Sequence, residues 1–341
     1  MTDTEHRTEK TVLAETIAAE DAPTEAGGAK NTVAPEAPAA PATPDPTAPA
    51  APTAPTAPTA PPASETDADE PPPIAQLWNL AKATGHPEIW GVALADPEHH
   101  TPTQIVLQKY LNANDGDVPK AKDQLAKTLE WRARTKPLQL VTKVFNKAKF
   151  EGLGFVTTYV QEGSTGPEGK EIFTWNIYGG AKSVEKTFGK LDEFLEWRVA
   201  LMELALQGLD LSSATRRITA DYDPYKIFQV HDYKSISFLR QSAKIKTAGA
   251  ETIKVFAQNY PELLKEKFFV NVPAVMGFVY GFMKLFVAAK TIRKFHPMSN
   301  GGNLALEFGA SQVSGLGEKL PVNYGGKGGD LEEQGTGPFL E

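Results

Sequence analysis

The spacing of apolar side chains divides the chain into distinct regimes. The tract from Ala34 to Pro73 has no apolar period. It is nearly all Ala, Pro, Thr, Asp and Glu, with repeated Ala-Pro-Thr triplets and no aromatic or branched apolar side chain. Such a tract buries too little surface to offset the entropy of ordering. Residues 1–73 are therefore expected to form a disordered tail, polyproline-like in its second half. From Ile74 the spacing becomes helical. Ile74–Gly85 ends on a Gly stop, Pro102–Asn112 follows Thr101 as a candidate cap, and Val118–Thr135 carries Ala121, Leu125, Leu129 and Trp131 or Ala133 on one face before Pro137 ends it. These segments predict a helical lobe over residues 74–140.

Beyond Pro137 the period changes. Phe155–Val160 and Glu171–Tyr178 read as strands, and the polar Gly/Pro connection QEGSTGPEGK makes them a hairpin. Phe188–Leu206 predicts a long amphipathic helix. Arg217–Phe228 predicts a strand through RITADYD with a turn at Asp223-Pro224, and FQVHDY either extends it or forms a short strand of its own. Phe238–Tyr260 predicts a helix broken near Gly249, and Lys267–Val272 a further strand. A short segment at Lys294–Met298 and a closing LPVNYGG at Leu320–Gly326 follow, and residues 327–341 read as a flexible tail. Alternating strand and helix imply an α/β domain over residues 141–326, with a mostly parallel sheet that the hairpin makes mixed.

The stretch VPAVMGFVYGFMKLFVAA, Val272–Ala289, stands apart. It is near the lower length limit for crossing a bilayer, but Pro273, Gly277, Gly281 and Lys284 interrupt it. The favoured expectation is a helix lying over an apolar cavity or dipping into a membrane surface.

Composition narrows the function classes. The net charge is −7 and no basic face is apparent, so a nucleic-acid partner is not expected. There is no cysteine, which removes disulfides, thiolate metal sites and Cys nucleophiles together. No G-x-G-x-x-G follows a strand, and neither H-E-x-x-H nor G-x-S-x-G occurs. Gly163–Lys170 (GSTGPEGK) imitates a phosphate loop, but its glycine spacing is wrong and it lies in the hairpin turn. His99-His100 lies in a polar loop, where solvated histidines are expected. No nucleophile, base and oxyanion site assembles, so the expected protein is a carrier and not an enzyme. No secretory signal precedes the tail, which fits a cytoplasmic protein.

YPELLKEKFFVNVP at Tyr260–Pro273, then the apolar stretch, then LPVNYGG resemble the CRAL-TRIO domain, the lipid-binding fold of Sec-fourteen-like phosphatidylinositol transfer proteins. The helical lobe, with its K-Y-L and L-x-W-R elements, is similar to that family's N-terminal lobe, and the resemblance spans about Ile89 to Gly326. It implies a gating helix at Val272–Ala289 whose Phe278, Phe282 and Phe286 close over acyl chains, with the glycines as hinges. It implies phosphatidylinositol as ligand, with Glu262 and Lys294 as the headgroup pair, and reversible contact with membranes such as the endoplasmic reticulum. A lysine paired to phosphate and a carboxylate accepting from inositol hydroxyls is sound chemistry.

VHDYK at Val230–Lys234 narrows the resemblance to the fungal haem-binding fifth-homologue subgroup. That likeness implies ferric haem b, with Tyr233 as axial ligand to the iron and His231 beside it. In an extended strand, residues two apart share a face, so His231 and Tyr233 point one way and Asp232 the other. A phenolate is a hard anionic ligand suited to Fe(III). The same likeness implies Arg198 and Lys267 as the basic groups for the propionates and Tyr178 as a further lining residue. Two alternatives stay open at this point: a haem-dependent peroxidase-like enzyme, and a membrane-sensing scaffold recruited through its Pro-rich tail.

Overall fold

The computed structural model describes residues 70–234, 243–272 and 293–341. All but the last four residues of the Ala34–Pro73 tract lie outside the described residues, as does the expected gating stretch from Pro273 onward with Phe278, Phe282 and Phe286.

The helical segments fold where the apolar period places them. Helix α1 (Pro73–Thr84) starts on prolines, which lose nothing at a position whose N–H has no helical partner, and stops at Gly85 with φ +70°. Helix α2 spans Thr101–Ala113 and α3 spans Val118–Thr135. The Asp117 side chain accepts from the Lys120 backbone N–H and caps α3. Thr101 does not cap α2. It lies inside the first turn, after His100, while the Thr103 hydroxyl accepts from the Ala95 N–H at 3.0 Å. The buried face of α3 also differs from expectation. Ala121, Leu125 and Leu129 are inside, but Ala133 is exposed, and the polar Thr128 and Arg132 complete the face.

The expected mixed, mostly parallel sheet forms from five strands in chain order: β1 (Gly154–Val160), β2 (Lys170–Ile177), β3 (Ile227–Asp232), β4 (Leu264–Val270) and β5 (Phe295–Pro297). The β1–β2 pair is antiparallel, as a hairpin must be, and the other pairs are parallel. RITADYD is not a strand. It folds as a tight turn closed by an isolated Thr219–Tyr222 bridge, and β3 begins only after Pro224. Helix α4 (Leu191–Leu209) connects β2 to β3, preceded by a separate short helix, Val184–Phe188, that ends at Gly189. Helix α5 (Ala243–Asn259) connects β3 to β4 and runs through Gly249 without the expected break.

Alternation along the strands sorts side chains to two faces. Trp175, Val230, Phe268 and Val270 lie beneath Leu304, Phe308, Leu316 and Tyr324. On the other face, Ile172 and Ile227 pack with Leu201 and Leu209, while Tyr178, Tyr233 and Phe269 lie toward Trp197 and Ala200. Each such side chain contributes about 1.5–3 kcal/mol when fully buried.

The closing residues are built into the fold, which corrects the expectation of a flexible tail over 327–341. Leu331 is buried, Tyr159 donates its hydroxyl proton to Gln334 at 2.8 Å, and Thr336 exchanges two backbone hydrogen bonds with Val156. Further on, the Phe145 N–H donates to the Phe339 carbonyl at 2.8 Å and the Phe145 carbonyl accepts from the Glu341 N–H at 3.0 Å. Edge strand β1 thereby gains a partner for N–H and C=O groups that would otherwise stay open.

Candidate ligand-binding site

In open α/β sheets, ligands bind beyond the carboxyl ends of the strands. Here β2, β3 and β4 bring Asn176, His231 and Phe269 into one register line across the helical face. The chain beyond β2 turns at once through Tyr178–Gly180. A Cβ on Gly179 would fall 1.9 Å from the Lys234 carbonyl oxygen, so only glycine lets this turn close against the end of β3. That approach sets the Tyr178 ring 5.5 Å from His231 and 6.3 Å from Tyr233.

The H-x-Y alternation works as the strand period requires. The His231 ring lies tilted at 5.7 Å from Phe269, and Tyr233 stacks on Phe269 at 6.3 Å. Asp232 turns to the opposite face, where it accepts from the Tyr324 hydroxyl at 2.8 Å, the Asn271 amide at 2.8 Å and the Lys234 backbone N–H at 2.7 Å. The middle residue of the triplet therefore pins the strand end, while its neighbours face the helices.

Two cations join them. Arg198 is buried on α4, donates to the Asn176 side-chain oxygen and lies 5.4 Å from the Phe256 ring. Among the described residues it meets no carboxylate. Lys267 on β4 lies 5.1 Å from the Phe269 ring and 5.5 Å from the Phe295 ring. Burial, followed by the positive charges of Lys267 and Arg198, holds the His231 imidazole well below its ordinary pKa of 6.5. The imidazole is therefore neutral at neutral pH.

Tyr178, Arg198, His231, Tyr233 and Lys267, scattered over ninety residues of chain, thus gather at one end of the sheet. Three of their buried polar atoms, both His231 ring nitrogens and Arg198 Nε, have no hydrogen-bond partner among the described residues. Buried polar groups are normally satisfied. Cations, neutral imidazole and phenols side by side suit a flat, anionic, partly aromatic ligand, and the donor set is compatible with haem. No cluster of three or more His, Cys, Asp or Glu forms among the described residues.

Glu262 and Lys294 also come together, at the amino end of β4. Lys294 Nζ lies 3.7 Å from the Glu262 carboxylate and donates to the Leu264 carbonyl at 3.1 Å. Both side chains are part-exposed. His100 faces Thr103 at 2.8 Å and is a loop residue bonded to its own helix.

Comparison with known proteins decides the family. Residues 171–326 match the CRAL/TRIO domain, and residues 65–127 match the CRAL/TRIO N-terminal domain. A Neurospora crassa protein named phosphatidylinositol transfer protein sfh-5 is 61% identical over 278 residues, covering 81% of this chain and 77% of the relative. The chain belongs to the CRAL/TRIO family. A Chaetomium globosum protein named phosphatidylinositol transfer protein SFH5 is 79% identical over 269 residues, covering 79% of this chain; the matched part spans 62% of that relative's length. A crystal structure of Sfh5 superposes with a TM-score of 0.61 at 26% identity, covering 78% of this chain and 93% of that one. The Sec-fourteen-like, fifth-homologue resemblance is thereby borne out, and the CRAL/TRIO fold is the one the sheet order displays. Sequence reading missed Asn176, Phe256 and Phe269. Nothing short of the strand register marks them, because an Asn and two Phe carry no motif of their own.

Proposed function

We propose that this CRAL/TRIO protein is a non-enzymatic phosphatidylinositol-binding and transfer protein whose pocket also holds ferric haem b. The lipid half is supported by the names of its relatives and by the facing of Glu262 and Lys294 at 3.7 Å. The haem half is carried by one observation: Tyr233 and His231 share a face with two cations, and His231 is neutral there. Tyr233 would supply a phenolate ligand to the iron, Arg198 and Lys267 the propionate partners, and Tyr178 and Phe269 the aromatic walls. When bound, ferric haem would supply redox-active iron at this end of the sheet. Neutral His231 favours an anionic neighbour without adding a charge of its own. In this reading haem and lipid compete for the pocket. The protein works in the cytoplasm with peripheral contact to endoplasmic-reticulum membranes, linking phosphoinositide homeostasis to oxidant stress.

Purified protein from haem-replete cells is expected to be coloured, with a Soret band that Tyr233→Phe abolishes or strongly shifts. Colourless protein would end the haem half. Labelled phosphatidylinositol that fails to move between vesicles would end the transfer half. Robust peroxide-dependent turnover would instead favour a haem enzyme.

A further inference from the structure

Glu262 has a backbone problem. Its φ is +55°, in the left-handed region that residues with a Cβ avoid. Such a conformation persists only where the surroundings over-determine it. Three contacts hold the Tyr260-Pro261-Glu262 turn. The Trp90 indole donates to the Asn259 carbonyl at 2.9 Å, the Tyr260 hydroxyl donates to Glu203 at 2.8 Å, and Lys109 Nζ donates to the Glu262 carbonyl at 2.9 Å. Trp90 and Lys109 both come from the helical lobe before the sheet, Lys109 from α2.

The ammonium of Lys109 has three protons and three acceptors: the Glu262 carbonyl, and the Asp223 oxygens Oδ1 and Oδ2 at 2.9 and 2.8 Å. Its side chain is wholly buried. Burial pushes the amine down to about 8 despite the pull of Asp223. A buried ion pair is seldom retained for stability alone, since an apolar pair of the same shape often does as well. What an apolar pair cannot do is grip a carbonyl oxygen and hold the residue bearing it in a left-handed conformation.

We infer that Lys109, braced by Asp223, is the positioning residue of the headgroup site: it fixes the Glu262 backbone so that the Glu262 carboxylate faces Lys294. This rests on the proposed headgroup role of Glu262 and Lys294. Lys109 itself is too deep to touch ligand. It acts through the carbonyl of the residue that does.

The test uses the full chain and vesicles carrying fluorescent phosphatidylinositol or fluorescent phosphatidylcholine, which lacks inositol hydroxyls. Variants are Lys109→Met, Asp223→Asn, Glu262→Gln and the Lys109→Met/Glu262→Gln double. Lys109→Met is expected to slow phosphatidylinositol transfer about tenfold, the scale of one lost charge-assisted contact, and to leave phosphatidylcholine transfer within about twofold. The double variant is expected to be no worse than Glu262→Gln alone, because both act on one carboxylate. Lys109→Arg, which can still donate to both partners, is expected to restore part of the selectivity. If Lys109→Met folds poorly, Asp223→Asn keeps the shape and is expected to show the same selective loss in milder form. Equal loss for both lipids, or losses that add in the double variant, would reduce Lys109 to an ordinary interlobe tie and overturn the inference. A Glu262→Gln variant with normal phosphatidylinositol transfer would instead remove the headgroup reading and this inference with it.

Discussion

His231 offers a test of the site's electrostatics that needs no ligand. Its pKa is held well below 6.5 by burial and by Lys267 and Arg198, so the folded protein does not protonate it in mild acid. The unfolded chain does, near the ordinary histidine value of 6.5. Between those two values the unfolded state binds one more proton, and stability is lost as pH falls from 6.5. Each unit costs about 1.4 kcal/mol. Between about pH 7.5 and about pH 5 this residue alone can cost at most about 2 kcal/mol, the ceiling reached if the folded imidazole takes up no proton in that window. The perturbation is His231→Phe, which suits neighbours such as Tyr178 and Phe269. The assay is urea unfolding of ligand-free protein at both pH values. Carboxylates and the other histidines titrate equally in both proteins, so they cancel in the comparison. Wild type should lose more than the variant over that window, by up to about 2 kcal/mol, whatever the variant's stability at neutral pH. Equal losses would mean that folded His231 takes up its proton normally, and the account of two cations crowding a neutral imidazole would be refuted. Arg198→Met should shrink the wild-type loss in the same assay by removing one of the crowding charges.

Three further outcomes follow from the packing. Arg132 is buried between Glu203 at 2.7 Å and Glu88 at 2.8 Å, so Arg132→Met leaves a buried carboxylate unpaired and should cost about 3–5 kcal/mol in denaturant unfolding. Lys136 ends α3 at φ +50° and is exposed, so Lys136→Gly should raise stability by about 1 kcal/mol, read as a higher urea midpoint with unchanged slope. Removing residues 331–341 strips the partner from edge strand β1 and should produce concentration-dependent association in size-exclusion chromatography, while the full chain shows none.

The parts of the fold legible in sequence were those governed by local period. Helix α3 carries an Asp cap, a helical apolar face and a following proline, and it folds over the expected residues. The His231-Asp232-Tyr233 alternation needs only the two-residue pleat. What local period could not reveal were partners distant in the chain. Arg132 and Lys109 stand in the L-x-W-R and K-Y-L elements, where nothing local marks them as buried, and both are buried because Glu203 and Asp223 come to them from 71 and 114 residues away. RITADYD has strand-like composition, yet Asp223-Pro224 closes it into a turn before a ladder forms, and β3 starts at Ile227. Gly249 costs a helix about 1 kcal/mol, which the burial of Ala248 on the same helix helps to offset. Polar, Gly-rich residues 327–341 look loose, and their pairing with β1 and Phe145, with the burial of Leu331, orders them.

The two proposed ligand contacts lie at opposite ends of β4, and this bears on how lipid and haem would interfere. Glu262 precedes the strand, and Phe269, packed on Tyr233, is near its end. Seven residues at about 3.3 Å each put roughly 23 Å of backbone between Glu262 and Phe269. Competition between the ligands would then arise from the volume between those ends and not from shared polar contacts. In lipid-free protein, Glu262→Gln should leave haem affinity within about twofold of wild type. Tyr233→Phe should likewise leave the preference for phosphatidylinositol over phosphatidylcholine intact. Adding phosphatidylinositol vesicles to haem-loaded wild type should nevertheless bleach the Soret band in proportion to lipid bound. A Glu262→Gln variant that lost haem without lipid present would show the two sites to be one.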